Sequence, residues 1–290
     1  MEDRSDSPHN RTTELVLTKN NHIIEAFEGD LITHEIKTKG IYEPLPLALI
    51  SEILQNIDKP TVLDIGANIG NHSLSFSMTA HHVYSFEPIK ATFDVLHRNA
   101  HRNNCHNITC INVGLSDTDT PSSMHINEDG NIGASSLTNK GQNSSNEIVT
   151  LVRGDAWIAS NATNIQKIDF MKIDVEGHEA KVLIGLKNTI AKSRPIIMLE
   201  YNEASSIHSF RENKIFETIF QEYEKFVIGN SYEYAYHEHL GKRFASARRY
   251  LTRRLTKRTA KLYAFDPLRT YANILLVPKS KLSLIPAKSF

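Results

Sequence analysis

No stretch of the 290-residue sequence is both long and apolar. A membrane-spanning helix needs roughly 18 to 20 apolar residues, and the most apolar segments here, Pro195 to Leu199 and Ile274 to Pro278, are strand-sized. Cysteine is nearly missing. Cys105 and Cys110 form no CxxC pair and join no Cys/His cluster, so zinc-site spacing is absent and free thiols in a reducing compartment are expected. Net charge is missing too: Lys plus Arg and Asp plus Glu both total 33, so no global field favours nucleic acid or an anionic membrane. Residues Met1 to Glu14 are polar, carry Glu2, Asp3 and Asp6, and lack the apolar core of a secretory signal. A cytoplasmic location is therefore expected, with the sequons at Asn10, Asn107, Asn143 and Asn161 unused. What is present, 40% hydrophobic and 23% charged residues, suffices for a substantial core.

Residues 1–14 read as a mobile tail and 15–59 as an accessory strand and helix. The strand is placed at Ile32 to Lys37, where apolar and polar residues alternate, and the helix at Leu45 to Ile57, closed by Lys59-Pro60. Residues 60–290 read as the main domain, beginning with a β-branched run, Thr61 to Ile65, a glycine loop and a helix near Asn71. Strands are expected at His82 to Phe86, Ile108 to Val113, Ile148 to Val152, Asp169 to Val175 and Pro195 to Glu200. Helices fall at Ile89 to Asn103, His178 to Ser193 and Ser205 to Glu224, and Phe226 to Gly229 and Ala272 to Pro278 form a closing antiparallel pair. The alternation predicts a doubly wound, mostly parallel sheet. An inserted loop or irregular hairpin rich in Ser, Asn and Gly occupies 118–146, and an excursion spans about 237–268.

Ligands of open parallel sheets gather beyond the strands' carboxyl ends. Asp64, Glu87, Asp117, Asp174 and Glu200 each close an expected strand, so one crevice would collect five carboxylates. In Asp64-x-Gly66-x-Asn68-x-Gly70 an asparagine replaces the central glycine of the dinucleotide pattern, and an anion sits beside the loop. That charge repels a pyrophosphate and suits the sulfonium and ammonium of S-adenosylmethionine, so this cofactor is favoured over NAD. Glu87, 17 residues beyond Gly70, is placed to accept from the ribose hydroxyls, and Ser116 with Asp117 to meet the adenine amino group.

The chain resembles the FkbM family of S-adenosylmethionine-dependent methyltransferases. The resemblance rests on Val62 to Gly70, on Phe86-Glu87-Pro88, on Gly133-Ala134-Ser135-Ser136-Leu137 and on Met171 to Glu179, and it runs from about Gly40-Ile41-Tyr42-Glu43 to Glu200. It implies a class I, Rossmann-like methyltransferase fold with a seven-stranded sheet, and O-methylation of a small molecule, sugar or glycan.

A hydroxyl acceptor benefits from a general base. Asp174 and Glu176, placed on one strand face by alternation, and His178 are the catalytic candidates, Asp174 also contacting the methionine end of the cofactor. Glu179 reads equally as a first-turn helix charge, His72 and Glu200 as cleft residues or local structure, and Trp157 as packing. A divalent metal at Asp174 and Glu200 is the less favoured alternative to a metal-free site. From Lys242 to Lys261 there are nine Lys/Arg and no acidic residue, and Leu240, Phe244, Ala247, Leu251, Leu255 and Leu262 keep helical spacing. A basic amphipathic helix is expected, packed on its own domain or touching an anionic membrane or acidic glycan, with nucleic acid disfavoured. The rival functions are an NAD-dependent oxidoreductase and a non-catalytic adaptor working through this helix.

Overall fold

The computed structural model describes residues 12–127, 144–161, 165–202, 204–229 and 260–289. An antiparallel hairpin, β1 (Thr13–Leu17) and β2 (Ile23–Phe27), comes first, so Thr13 and Glu14 belong to a strand rather than to the tail; residues 1–11 lie outside the described residues. Ile32 to Lys37 is not a strand. It lies in helix α1 (Leu31–Lys39), started by Asp30, whose side chain accepts from the Ile32 amide, and stopped by Gly40 at φ 77°. Both ends carry cap residues, which decide a six-residue pattern that alternation alone leaves ambiguous. Helix α2 (Pro44–Gln55) opens on proline and buries Leu47, Ile50, Ile53 and Leu54.

Then follow β3 (Thr61–Ile65), α3 (Asn71–Ser77), β4 (His82–Phe86), α4 (Lys90–Arg102), β5 (Ile108–Ile111), β6 (Gly114–Ser116), β7 (Pro121–Asn127), β8 (Ser144–Arg153) and α5 (Gly154–Asn161). The chain continues through β9 (Phe170–Ile173), α6 (Glu179–Gly185), α7 (Lys187–Ser193), β10 (Ile196–Tyr201), α8 (Ala204–Glu212), α9 (Ile215–Thr218), β11 (Tyr223–Gly229), β12 (Lys261–Ala264) and β13 (Tyr271–Pro278). The main sheet has eight strands, not seven, in the order β12-β11-β13-β10-β9-β3-β4-β5. Strands β10, β9, β3, β4 and β5 run parallel, β13 lies antiparallel between β10 and β11, and β12 is antiparallel to β11.

The eighth strand is β12, whose Leu262 pairs with Ile228 of β11. Leu262 therefore leaves the expected basic helix, because strand pairing outweighs a helical spacing that happened to run through it. The rest of that segment, 242–259, lies outside the described residues, as do residues 128–143 with the Gly133 to Leu137 block. On either side of 128–143, β7 and β8 pair antiparallel and form a small sheet with β6. Two expected helices are each broken. His178 to Ser193 divides into α6 and α7 at Leu186, and Ser205 to Glu224 into α8 and α9, where Lys214 takes a left-handed conformation (φ 50°); its last residues already form β11.

The main sheet is buried on both faces, which explains why its strands read as continuous apolar runs. Leu63, Met171 and Ile197 pack with Leu183, Leu186 and Ile190 on one side, while Val62, Phe170 and Ile196 pack with Ile50, Ile53 and Leu54 on the other. Lys172, 3% exposed in the middle of β9, breaks that run.

Candidate active site

The carboxyl ends of β3, β4, β9 and β10 open onto one cavity lined by the Gly66–Ile69 backbone, Glu87, Lys172, Asp174, Glu176, His178 and Glu200. Gly66 (φ 76°) is required here: a Cβ on it would lie 1.8 Å from the Asp174 carbonyl oxygen, so the turns after β3 and β9 touch only through glycine. Asn68 is left-handed (φ 51°), and its own Oδ1 accepts from the Ile69 amide at 2.7 Å. Asparagine tolerates that conformation well, which gives the departure from a central glycine a backbone reason. Gly70 does not line the cavity. It precedes α3 (φ 91°), where a Cβ would meet Leu96 Cδ1 of α4 at 2.6 Å.

Glu87 is 5% exposed; its Oε2 accepts from the Asn68 amide and its Oε1 from the Ile89 amide, both at 3.0 Å. Each oxygen keeps a lone pair for a further donor. Burial pushes its pKa up to about 7, against the pull of those two amides and of Lys172. Beside it, Asn71 Nδ2 and Thr92 Oγ1 are buried at the cavity with no hydrogen-bond partner among the described residues. Buried polar groups are ordinarily satisfied, so these two mark ligand space.

Asp64 does not reach the cavity. Fully buried in β3, it is in register with Ser85 of β4 on one side and Lys172 of β9 on the other. Its Oδ2 accepts from Ser73 Oγ at 2.5 Å, and its Oδ1 lies 3.7 Å from Lys172 Nζ. The Lys172 ammonium also donates to the Gly66 carbonyl oxygen and approaches Asp174 Oδ2, each at 3.1 Å. Burial alone would lower its pKa, but Asp174 and Asp64 outweigh burial and raise it. This lysine was missed among the site residues, although a charge inside an otherwise apolar strand was the available signal.

Asp174, Glu176 and Glu200 bring carboxylate oxygens within 4.8 Å of one another. Three such groups do not all ionise in a partly buried site. Burial opposes ionisation of Asp174, yet the Lys172 cation holds its pKa below the usual range. Glu200 takes the opposite course: burial first, then the Asp174 charge, pushes it up to about 10, so it carries a proton that it shares with Asp174. Asn202 Nδ2 donates to Glu200 Oε1 at 2.5 Å. The expected crevice of five carboxylates is thus much less negative, with Asp64 paired to lysine and Glu200 protonated. Glu176 does not share a strand face with Asp174. Strand β9 ends at Ile173, and Glu176 lies in the following turn at φ 50°, which folds it back toward Asp174.

Residues 64–236 match the Methyltransferase FkbM domain. The chain belongs to the FkbM methyltransferase family. Its sequence is 31% identical over 151 residues to the hexuronic acid methyltransferase AglP of Haloferax volcanii, an alignment covering 52% of this chain and 60% of the relative's length. Among solved structures, the FkbM methyltransferase of Methylobacillus flagellatus KT aligns at TM-score 0.42 and 15% identity, over 75% of this chain and 43% of that one. The O-methyltransferase of Bacillus cereus, crystallised in complex with SAH, aligns at TM-score 0.41 and 10% identity, over 79% and 77%.

In this FkbM chain Ser116 and Asp117 do not line the cavity, because β6 pairs with β8 instead of entering the main sheet. They reach it through His178. Ser116 Oγ lies 3.1 Å from Asp117 Oδ1 and 2.9 Å from His178 Nε2, so the hydroxyl links the carboxylate to the imidazole. Burial lowers the His178 pKa to about 4, leaving the ring neutral at neutral pH. Glu179 is structural: its Oε1 accepts from the Gly177 amide at 3.0 Å and its Oε2 from Ser206 Oγ at 2.9 Å, which fixes the turn bearing Glu176. Trp157 packs edge-on against Phe86 at 4.8 Å. His72 is buried at the cavity, with Nε2 3.1 Å from Glu43 Oε2, while Glu43 Oε1 accepts from Asn273 Nδ2 at 2.7 Å. Tyr42 and Glu43 were quoted only as a block of resemblance; the bend between α1 and α2 delivers both to the site.

Proposed function

We propose that this chain is an S-adenosylmethionine-dependent O-methyltransferase acting on a hydroxyl of a sugar, glycan or other small acceptor. One observation carries the proposal: a single cavity joins a buried carboxylate with acceptor capacity to spare, Glu87, to an acidic group at its other end, Asp174 with Glu176. That pairing fits a ligand with a vicinal diol at one end and positive charge at the other. A dinucleotide fits poorly, since its pyrophosphate would lie beside Asp174 and Glu176. The hexuronic acid named for the Haloferax relative supports a sugar-class acceptor.

When bound, adenosylmethionine supplies a methyl group on a sulfonium, which leaves as a neutral thioether. Glu87 would accept from the ribose hydroxyls, the apolar slot of Ile89, Leu115, Met124 and Leu151 would take the base, and the Gly66–Ile69 backbone would hold the methionine part. Asp174 lines the cavity and is our assignment for the general base: its carboxylate would take the proton of the acceptor hydroxyl as that oxygen received the methyl group. Glu176 orients, and neutral His178, bonded to Ser116, shapes the base slot. The protein otherwise acts by alignment and exclusion of water.

Incubation with methyl-labelled adenosylmethionine and a panel of glycosides tests this directly. Labelled product, heavier by one methylene and labile only to ether cleavage, is expected; donor turnover with label solely on nitrogen or carbon contradicts it. The Glu87 carboxylate predicts a pH dependence of its own. Ionised Glu87 accepts from both hydroxyls, and protonation removes one accepting position, so donor affinity should weaken as pH falls through about 7. In Glu87→Gln this dependence should vanish and binding weaken by about 1–3 kcal/mol through lost charged hydrogen bonds. Calorimetric titrations at several pH values measure both; a flat profile in the parent protein contradicts the assignment.

A further inference from the structure

A second groove of about 290 Å³ opens beside the first, bordered by Tyr42, Glu43, Asn202 and the segment Thr270 to Asn273. Tyr42, Asp174 and Glu200 line both spaces. A molecule in the groove therefore meets one in the cavity at the Asp174–Glu200 pair, where the methyl-transfer reading places the reacting hydroxyl.

The walls of the groove suit polyhydroxylated molecules. Two aromatic residues, Tyr42 and Tyr271, border it together with the polar side chains of Asn202, Thr270 and Asn273. The charge of the walls is one-sided. Among the described residues that line it, the acidic groups are Glu43, Asp174 and the protonated Glu200, so the charge rests on Glu43 and Asp174, and none is Lys, Arg or His. The cations nearby are committed elsewhere: Lys172 to Asp64, Asp174 and the Gly66 carbonyl, and His72 to its contact with Glu43 on the cavity side. A hydroxyl entering here has carboxylate oxygens to donate to. A second carboxylate would be desolvated beside Asp174 with no counter-charge in those walls, a cost that geometry does not offset.

We infer that this groove receives the acceptor, that the acceptor is an uncharged sugar or polyol, and that a sugar carboxylate placed there is rejected. The inference rests on the methyl-transfer proposal above, and it separates this chain from its Haloferax relative, which is named for a hexuronic acid.

Matched methyl glycosides of the common hexoses and of the corresponding hexuronic acids, differing only in CH2OH or carboxylate at C6, test it. The full chain is assayed with labelled adenosylmethionine, with donor binding followed by calorimetry in parallel. The hexosides are expected to exceed their uronate partners at least tenfold in kcat/KM. Asn202→Arg, which adds a cation to the rim, should raise the rate on uronates relative to hexosides and narrow that gap. Equal or higher kcat/KM on uronates overturns the inference and leaves methyl transfer standing, and so does donor binding without methylation of either series. Absence of donor binding removes the methyl-transfer proposal, and the inference with it.

Discussion

Lys172→Met is expected to destabilise the protein by about 3–5 kcal/mol, the usual consequence of removing one partner from a buried ion pair. Methionine fills most of the lysine volume, so little of the loss comes from a cavity. It comes from charge. Asp64, fully buried, loses its cation, Asp174 loses the partner at 3.1 Å, and the Gly66 carbonyl loses its donor. Denaturant midpoints at several pH values give the test a second arm. Lys172 depresses the Asp174 pKa, so that contribution to stability exists above the unfolded-state value of about 4 and is lost as pH falls through the lower folded-state value. The deficit of the variant should therefore be largest near neutrality and narrow below about pH 4. A loss under about 1 kcal/mol at neutral pH would mean that the carboxylates need no buried cation.

Asp174→Asn should lower methyl transfer by about 10² to 10⁴-fold, the range that a positioned general base supplies. Asparagine keeps the shape of the side chain and can still bond Glu200, but it removes a charge that faces the donor's cationic end, so donor affinity should weaken as well, by a smaller factor than kcat falls. A second effect follows from the shared proton. Burial and the Asp174 charge hold the Glu200 pKa up to about 10; with the charge gone, Glu200 ionises at lower pH and stands within reach of the same hydroxyl. Activity of the variant should thus recover partly as pH rises, while that of the parent does not depend on this step. Steady-state kinetics from neutral to alkaline pH decide the matter, and unchanged kcat in the variant would remove Asp174 from proton transfer.

Much of the scaffold was legible because the buried parallel strands are short apolar runs closed by polar residues. Val62 to Ile65, Val83 to Phe86 and Ile196 to Leu199 each combine β-branched or aromatic composition with an abrupt stop. The glycine loop was legible for a steric reason, since Gly66 touches the next turn too closely for any side chain. What escaped depends on registers and bends that no local pattern encodes. Asp64 closes its strand as expected, but pairing with Lys172 and Ser85 holds it beneath the loop. Ser116 and Asp117 follow a strand as expected, yet β6 leaves with β8 and passes their influence to His178. Leu262 shared a helical spacing with residues that precede it, and strand pairing with Ile228 claimed it instead. Tyr42 and Glu43 come from outside the sheet, through a bend at Gly40 and a left-handed Glu43.

The central claim is that the cavity between the Gly66 loop, Glu87 and Asp174 holds a cationic methyl donor. Calorimetric titration of the full chain with S-adenosylmethionine, and in parallel with NAD, tests it most directly. Saturable one-site binding of the donor with no heat from NAD is the expected result; saturable binding of NAD with none of S-adenosylmethionine would contradict the account.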